Sequence, residues 1–317
     1  MKPMKDTLIF DLHCDTLTYC HKHGLDLVNA QSQLSLDRLP KGYRLCQCMA
    51  VFMPDEYRGA QAERFFDQLQ AFYLEQTARC RDRVCAVRDT AAIGEALAEK
   101  PFALLLTVEG GSALAGKLEN VQRLHNLGVK MMTLTWNGEN EIAGGAATGL
   151  GFKPFGRRVV AEMERLGMVV DVSHLSDKSF WELASFASRP FVASHSNARE
   201  LCGHRRALTK EMFLEIRDRG GLVGLNYYVG FITKSGESDK MEDLLAHLHY
   251  FLELDGEDTV ALGSDFDGAD MPPYLSGIER VAELRQAVED AVGAKLADKL
   301  FFENARRFFA GNAALEE

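Results

Sequence analysis

The stretch FALLLTVEGGSALAGKLENVQRLHNLGVKMMTLTW, residues 102–136, carries the pattern that decides the fold. Residues 102–108 and 129–135 are short apolar runs of the kind that form strands buried on both faces. Residues 120–126 between them are amphipathic and predict a helix. Strand, helix and strand in that order make a parallel unit. Working outward, six further runs read as strands: 7–13, 45–52, 168–172, 191–194, 222–227 and 259–263. Helices are predicted over 60–78, 157–166, 179–187, 210–219 and 241–254, and a last helical region over 277–310 closes the chain. Glycine punctuates helix ends, with Gly167 before the fifth strand and Gly220-Gly221 before the seventh.

Eight strands alternating with helices predict an α/β fold, a (β/α)8 TIM barrel. The rival, an open doubly wound sheet, would carry GxGxxG after its first strand, and this chain does not. No linker, repeat or composition shift interrupts the 317 residues, so one domain over 1–317 is expected. A net charge of −10 repels phosphate backbones and anionic lipid, which weighs against nucleic-acid and membrane partners. Acidic and His residues appear by position 13, too early for the apolar part of a leader, and no run approaches the roughly 20 apolar residues of a membrane span. Seven cysteines at 14, 20, 46, 48, 80, 85 and 202, without CxxC spacing, suit reduced thiols. Together these features predict a cytoplasmic protein. The Gly-rich loop 137–156 reads either as a surface crossover or as a mobile wall over a site.

Barrel enzymes place their chemistry at the C-terminal ends of the strands. Those ends hold His13-Cys14-Asp15, Glu109, Trp136-Asn137, His174, His195 and Asp265-Phe266-Asp267. His13 and Asp15 share a strand face, whereas Cys14 points to the other and reads as packing. His174 and His195 end adjacent strands, so their imidazoles can reach one ion. Glu109 lies between the two groups in the barrel circle, and its two oxygens suit a bridge between two cations. No lysine ends the fourth strand to compete for that role. Nitrogen and oxygen ligands without thiolate suit zinc, with manganese or cobalt as substitutes. Two metals lower the pKa of a water and polarise a carbonyl, which is the chemistry of amide hydrolysis. Asp265 is then either a further ligand or a proton shuttle, and Asp267 reads as a cap for the following turn. The His247-x-His249 pair is helical and reads as structural or surface.

The series DLHCDT (11–16), VEGG (108–111), FGRRVVAEMERLGMVVDVSH (155–174), ASHSNAR (193–199) and GSDFDG (263–268) closely resembles the membrane dipeptidase (renal dipeptidase) family, within the wider amidohydrolase group. The chain is similar to the shorter bacterial members rather than to the exported, lipid-anchored animal ones. The resemblance implies two zinc ions per chain, one held by His13, Asp15 and Glu109, the other by Glu109, His174 and His195. It implies a dipeptide substrate, with Arg206 (or its neighbour Arg205) binding the C-terminal carboxylate and Asp265 meeting the amino group and handling the proton. A hydroxide bridging the metals attacks the peptide carbonyl in that scheme, and a D-residue at the C-terminal position is tolerated. Homodimers are common among such relatives. The chain departs from the family where many relatives end the fourth strand with a substrate-contacting His. Here Trp136 and Asn137 stand in that place, and Trp can donate one N–H but cannot carry a proton. The alternative reading is an amidohydrolase acting on N-acyl amino acids or lactones.

Overall fold

A computed structural model describes residues 6–313. Nine parallel strands form its sheet: β1 (Thr7–Cys14), β2 (Tyr43–Phe52), β3 (Val84–Ala86), β4 (Phe102–Glu109), β5 (Val129–Thr133), β6 (Val169–Asp171), β7 (Val192–Ala193), β8 (Leu222–Leu225) and β9 (Val260–Leu262). The order β2-β1-β9-β8-β7-β6-β5-β4, with β2 pairing β4 from Leu45↔Phe102 to Phe52↔Glu109, closes the sheet into the eight-stranded (β/α)8 barrel. β3 stays outside the circle. It takes the lower half of one edge of β4 (Phe102 to Leu104), and β5 takes the upper half from Leu106 onward. β3 leaves no pattern in the sequence, because three residues between Arg83 and Val87 are too few to show a period.

Two layers of side chains hold the barrel. One face of each strand meets the surrounding helices, as in Leu104, Leu106 and Val108 against Phe66 and Leu124. The other fills the barrel, with Phe10, Leu12, Cys46, Cys48, Ala103, Leu105, Met131, Val169 and Val192. The last helical region is broken at Gly293 (φ 83°) into Val281–Val292, Ala294–Asp298, a π-helical turn Lys299–Glu303 and Asn304–Ala313. Its Phe302 and Phe309 close the barrel floor against Phe10, whose ring lies 5.1 Å from that of Phe309. The floor is therefore apolar and sealed, and the polar residues gather at the opposite rim.

A bulge in β1 places the first two site residues. The pairing of β1 with β2 runs in step through Asp11↔Gln47, then shifts so that Cys14 faces Met49. The extra residue brings His13 onto the interior face shared by Phe10 and Leu12, and a bulge re-aims side chains in this way near active sites. Cys14 turns outward instead, buried with its Sγ 3.5 Å from Met49 Sδ. The loop 137–156 is a packed wall of the rim. Ile142 to Ala146 are buried, and Gly145 N–H donates to Gly138 O at 2.9 Å. A Cβ on Gly145 would lie 2.1 Å from Trp136 O, so only glycine allows this approach. All seven cysteines are free thiols. Among the described residues, no helix is long and apolar enough to cross a membrane.

Candidate metal-dependent active site

The predicted strand-end residues converge on one buried cluster. His13 Nε2 lies 3.4 Å from Asp15 Oδ2, 3.5 Å from Glu109 Oε2 and 3.8 Å from Asp265 Oδ1. The other oxygen of Glu109, Oε1, lies 2.8 Å from His174 Nε2 and 3.5 Å from His195 Nε2. Glu109, at the end of β4, thus turns one oxygen to each side. The rings of His13 and His195 stack at 3.9 Å.

Strained backbone aims two of these side chains. His174 (φ 69°) and Asp265 (φ 65°) adopt the left-handed region, which costs a non-glycine residue on the order of 1 kcal/mol or more. The His174 carbonyl is fixed by the hydroxyl of Thr135 at 3.1 Å and by the Ala146 N–H at 2.7 Å. The Gly-rich loop therefore holds a site histidine in its unusual conformation. Asp265 is oriented by Asn226, whose side-chain N–H donates to Oδ2 at 3.0 Å.

Burial and crowded charge set the electrostatics. Burial, reinforced by the Glu109 charge, raises the Asp15 carboxyl to about 7. Burial raises Asp265 to about 6, and His13 opposes the rise. Burial favours neutral His13, but Glu109 and Asp15 overrule it and raise its pKa well above the ordinary value. Burial and the nearby Arg206 charge lower His174 to about 4. Burial, His13 and Arg206 push His195 well below the usual histidine range.

These groups fit a cation. His174 Nδ1 lies 3.0 Å from the side-chain amide oxygen Oδ1 of Asn137, which can only accept, so Nδ1 carries the ring hydrogen and Nε2 a lone pair. That lone pair faces Glu109 Oε1, itself an acceptor, and His195 Nε2 at 3.1 Å. Lone pairs pressed together without water repel unless a positive ion sits among them. Buried Asp15 Oδ1 has no hydrogen-bond partner, another free acceptor at the same place. Ligand atoms of His13, Glu109 and His195, and of His13, Asp15 and Asp265, each lie within 4.8 Å of one another.

A membrane dipeptidase profile (peptidase family M19) matches residues 2–315. The chain belongs to the membrane dipeptidase family. It is accordingly a metal-dependent hydrolase. It is 33% identical over 218 residues to a Klebsiella pneumoniae protein described as "uncharacterized protein in pqqA 5′ region", covering 65% of this chain and 80% of that one. An uncharacterized dipeptidase of Schizosaccharomyces pombe is 34% identical over 190 residues, 57% of this chain and 45% of its own length. This chain thus matches less than half of that protein. Among solved structures, a metallopeptidase from Rhodobacter sphaeroides liganded with a phosphinate mimic of the dipeptide L-Ala-D-Ala superposes with a TM-score of 0.91 at 26% identity, covering 96% of this chain and 99% of that one. Dipeptidase AC, a metallopeptidase of family M19, gives 0.91 at 27% identity, with 96% and 98% covered.

The cluster floors a cavity of about 630 Å³. Asp15, Glu109, His174 and Asp265 line it, with Phe52, Trp136 and Asn137 on one side and Tyr228 and Phe231 on another. Trp136 packs edge-on against Phe52 at 5.1 Å, so that wall is aromatic. Arg206 is buried and Arg205 exposed. Arg206 donates to Ser196 Oγ at 2.7 Å and to His195 O at 3.1 Å, while its Nε has no partner. It stands behind the lining, with its guanidinium 6.0 Å from the Phe231 ring. Asp267 caps a distant segment rather than the turn that follows it: it accepts from the N–H groups of Gln33 and Leu34 and from the Thr16 hydroxyl. His247 is structural, accepting from Ala198 N–H and bonding Ile232 O.

Sequence reading passed over Asn226, Asp171 and Ser194. Asp171 had a visible signal, a single carboxylate inside the apolar run MVVDV (168–172). Asn226 had none beyond its place in a strand-like run, since its role depends on β8 lying beside β9.

Proposed function

We infer that the protein is a zinc-dependent dipeptidase. The observation that carries this reading is Glu109, whose two oxygens face two separate sets of nitrogen and oxygen donors at the base of the cavity. His13, Asp15 and Glu109 would hold one zinc ion, and Glu109, His174 and His195 the other. Two such ions supply Lewis-acid polarisation of a carbonyl and a water of lowered pKa. Manganese or cobalt can serve the same donors.

The chain's own residues do the rest. Asp265 lies beside His13, and its raised pKa suits a group that takes a proton from water and passes it to the departing amine. Its charge also attracts the free amino group of a dipeptide. Arg206 brings a buried positive charge and an unused Nε–H, which suit the substrate's terminal carboxylate. Phe52 and Trp136 exclude water and receive apolar parts of the substrate. Trp136 offers no charge to a developing oxyanion, and its indole N–H and the amide N–H groups of Asn137 are the donors that this wall can present.

Zinc-loaded protein assayed on L-L and L-D dipeptides tests the reading. Turnover of free dipeptides, lost when the amine is acylated, is the expected result. Faster hydrolysis of N-acyl amino acids or lactones would replace it with the broader amidohydrolase reaction.

A further inference from the structure

We propose that Asp171 is a positioning residue: through the Ser194 hydroxyl it fixes the tautomer of His195 and aims that imidazole's lone pair at the cation shared with His174 and Glu109. The proposal rests on the two-cation reading of the site. Asp171 is buried inside the barrel, in register with Thr133 on one side and Val192 on the other. Its Oδ1 accepts the backbone N–H groups of Ser173 and Ser194, both at 2.9 Å. Its Oδ2 accepts the hydroxyls of Thr133 and Ser194, both at 2.6 Å.

A carboxylate offers only acceptors, so the Ser194 hydroxyl directs its one hydrogen to Asp171. The same Oγ lies 2.7 Å from His195 Nδ1 and, with its hydrogen committed, can only accept there. Nδ1 therefore carries the ring hydrogen and Nε2 the lone pair. Nε2 is the atom that faces His174 Nε2 at 3.1 Å and Glu109 Oε1 at 3.5 Å. The opposite tautomer would point an N–H at the cation. Partners behind a metal-binding histidine set its tautomer and basicity in this way.

Asp171→Asn is the informative substitution because its effect has a direction. The two backbone N–H groups keep the amide oxygen at the Oδ1 position, so the amide NH₂ replaces Oδ2 and donates to Ser194 Oγ. The hydroxyl then turns its hydrogen toward His195 Nδ1, and the ring hydrogen moves to Nε2. Ser194→Ala removes the relay without reversing it. Competition with a chromophoric chelator should show zinc affinity roughly 10–100-fold weaker in S194A, and weaker still in D171N. Ring-nitrogen NMR of the zinc-free protein should place the His195 hydrogen on Nδ1 in wild type and on Nε2 in D171N. Wild-type His195 carrying its hydrogen on Nε2, or variants that bind zinc as tightly as wild type, would overturn the proposal. If D171N does not fold, S194A and the wild-type ring measurement decide. A wild-type chain that takes up no zinc overturns the two-cation reading, and the tautomer measurement then decides the role of Asp171 alone.

Discussion

At the β9–β1 corner of the rim, Asp11 Oδ1 accepts the backbone N–H groups of His13 and Ser264, at 3.1 and 2.9 Å. At the β6–β7 corner, Asp171 Oδ1 accepts those of Ser173 and Ser194. In both, the carboxylate takes the N–H two residues along its own strand. It also takes the N–H two residues beyond the one it faces on the neighbour, Leu262 or Val192. The faces differ. Asp11 is in register with Gln47 and Leu262, the latter packed in the helix-facing layer, whereas Asp171 is in register with Val192 of the barrel interior. Only Asp171 can reach a site imidazole through serine. Charge differs as well. Burial holds Asp15 near 7 and Asp265 near 6 at the first corner, while burial and Arg206 hold His174 near 4 at the second. One backbone device thus supports a corner whose carboxyls take up protons near neutral pH and a corner whose histidine stays neutral there.

Glu109→Gln tests what joins the corners and should have the largest effect. An amide cannot give each side an anionic oxygen, so kcat/KM should fall on the order of 10³-fold or more, with zinc content reduced. Full zinc loading with near-normal turnover would separate the corners and remove Glu109 as their link. Asp265→Asn should act at the β9–β1 corner alone. The expected loss in kcat is on the order of 10²–10⁴-fold, with zinc content kept, as for a lost proton carrier. Loss of zinc with little change in kcat per bound metal would make Asp265 a ligand instead.

The pH dependence of zinc affinity divides the corners further. A carboxyl with a raised pKa keeps its proton below that value, so zinc must displace it there and need not above it. Affinity should already decline as pH falls toward 7, because His13 with its raised pKa holds a proton that zinc must displace. It should decline more steeply below 7, by roughly tenfold per unit for each competing proton, as Asp15 takes one up as well. His174, neutral down to about 4, should not contribute in that range. A flat affinity from pH 8 to 6 would contradict the contrast. The smallest effect is expected at Cys14, which lies between His13 and Asp15 in sequence but faces the helix layer. Cys14→Ala should leave zinc content and kcat/KM unchanged and remove about 1 kcal/mol of packing, roughly 1–2 °C in Tm for a domain of this size.

The eight barrel strands were legible because parallel strands buried on both faces are short apolar runs separated by amphipathic helices. The site was legible in part, because polar residues that end such runs must share one rim. His13, Asp15, Glu109, His174, His195 and Asp265 were found by that rule, and the structure brings them together. The rest depends on register, which one strand cannot reveal. The β1 bulge that turns His13 inward shows only against β2. The reach of Asp171 to Ser194 requires β6 to lie beside β7. Arg206 was placed by resemblance, and its seat behind Phe231 follows from the fold of the loop after β7.

Titration of zinc into chelator-treated protein, with dipeptide hydrolysis followed at each step, tests the central claim most directly. Activity should rise with added metal and level off at about two zinc ions per chain, the number that a Glu109 bridge between two donor sets requires. A plateau at one ion, or no dipeptide turnover at full loading, would contradict it.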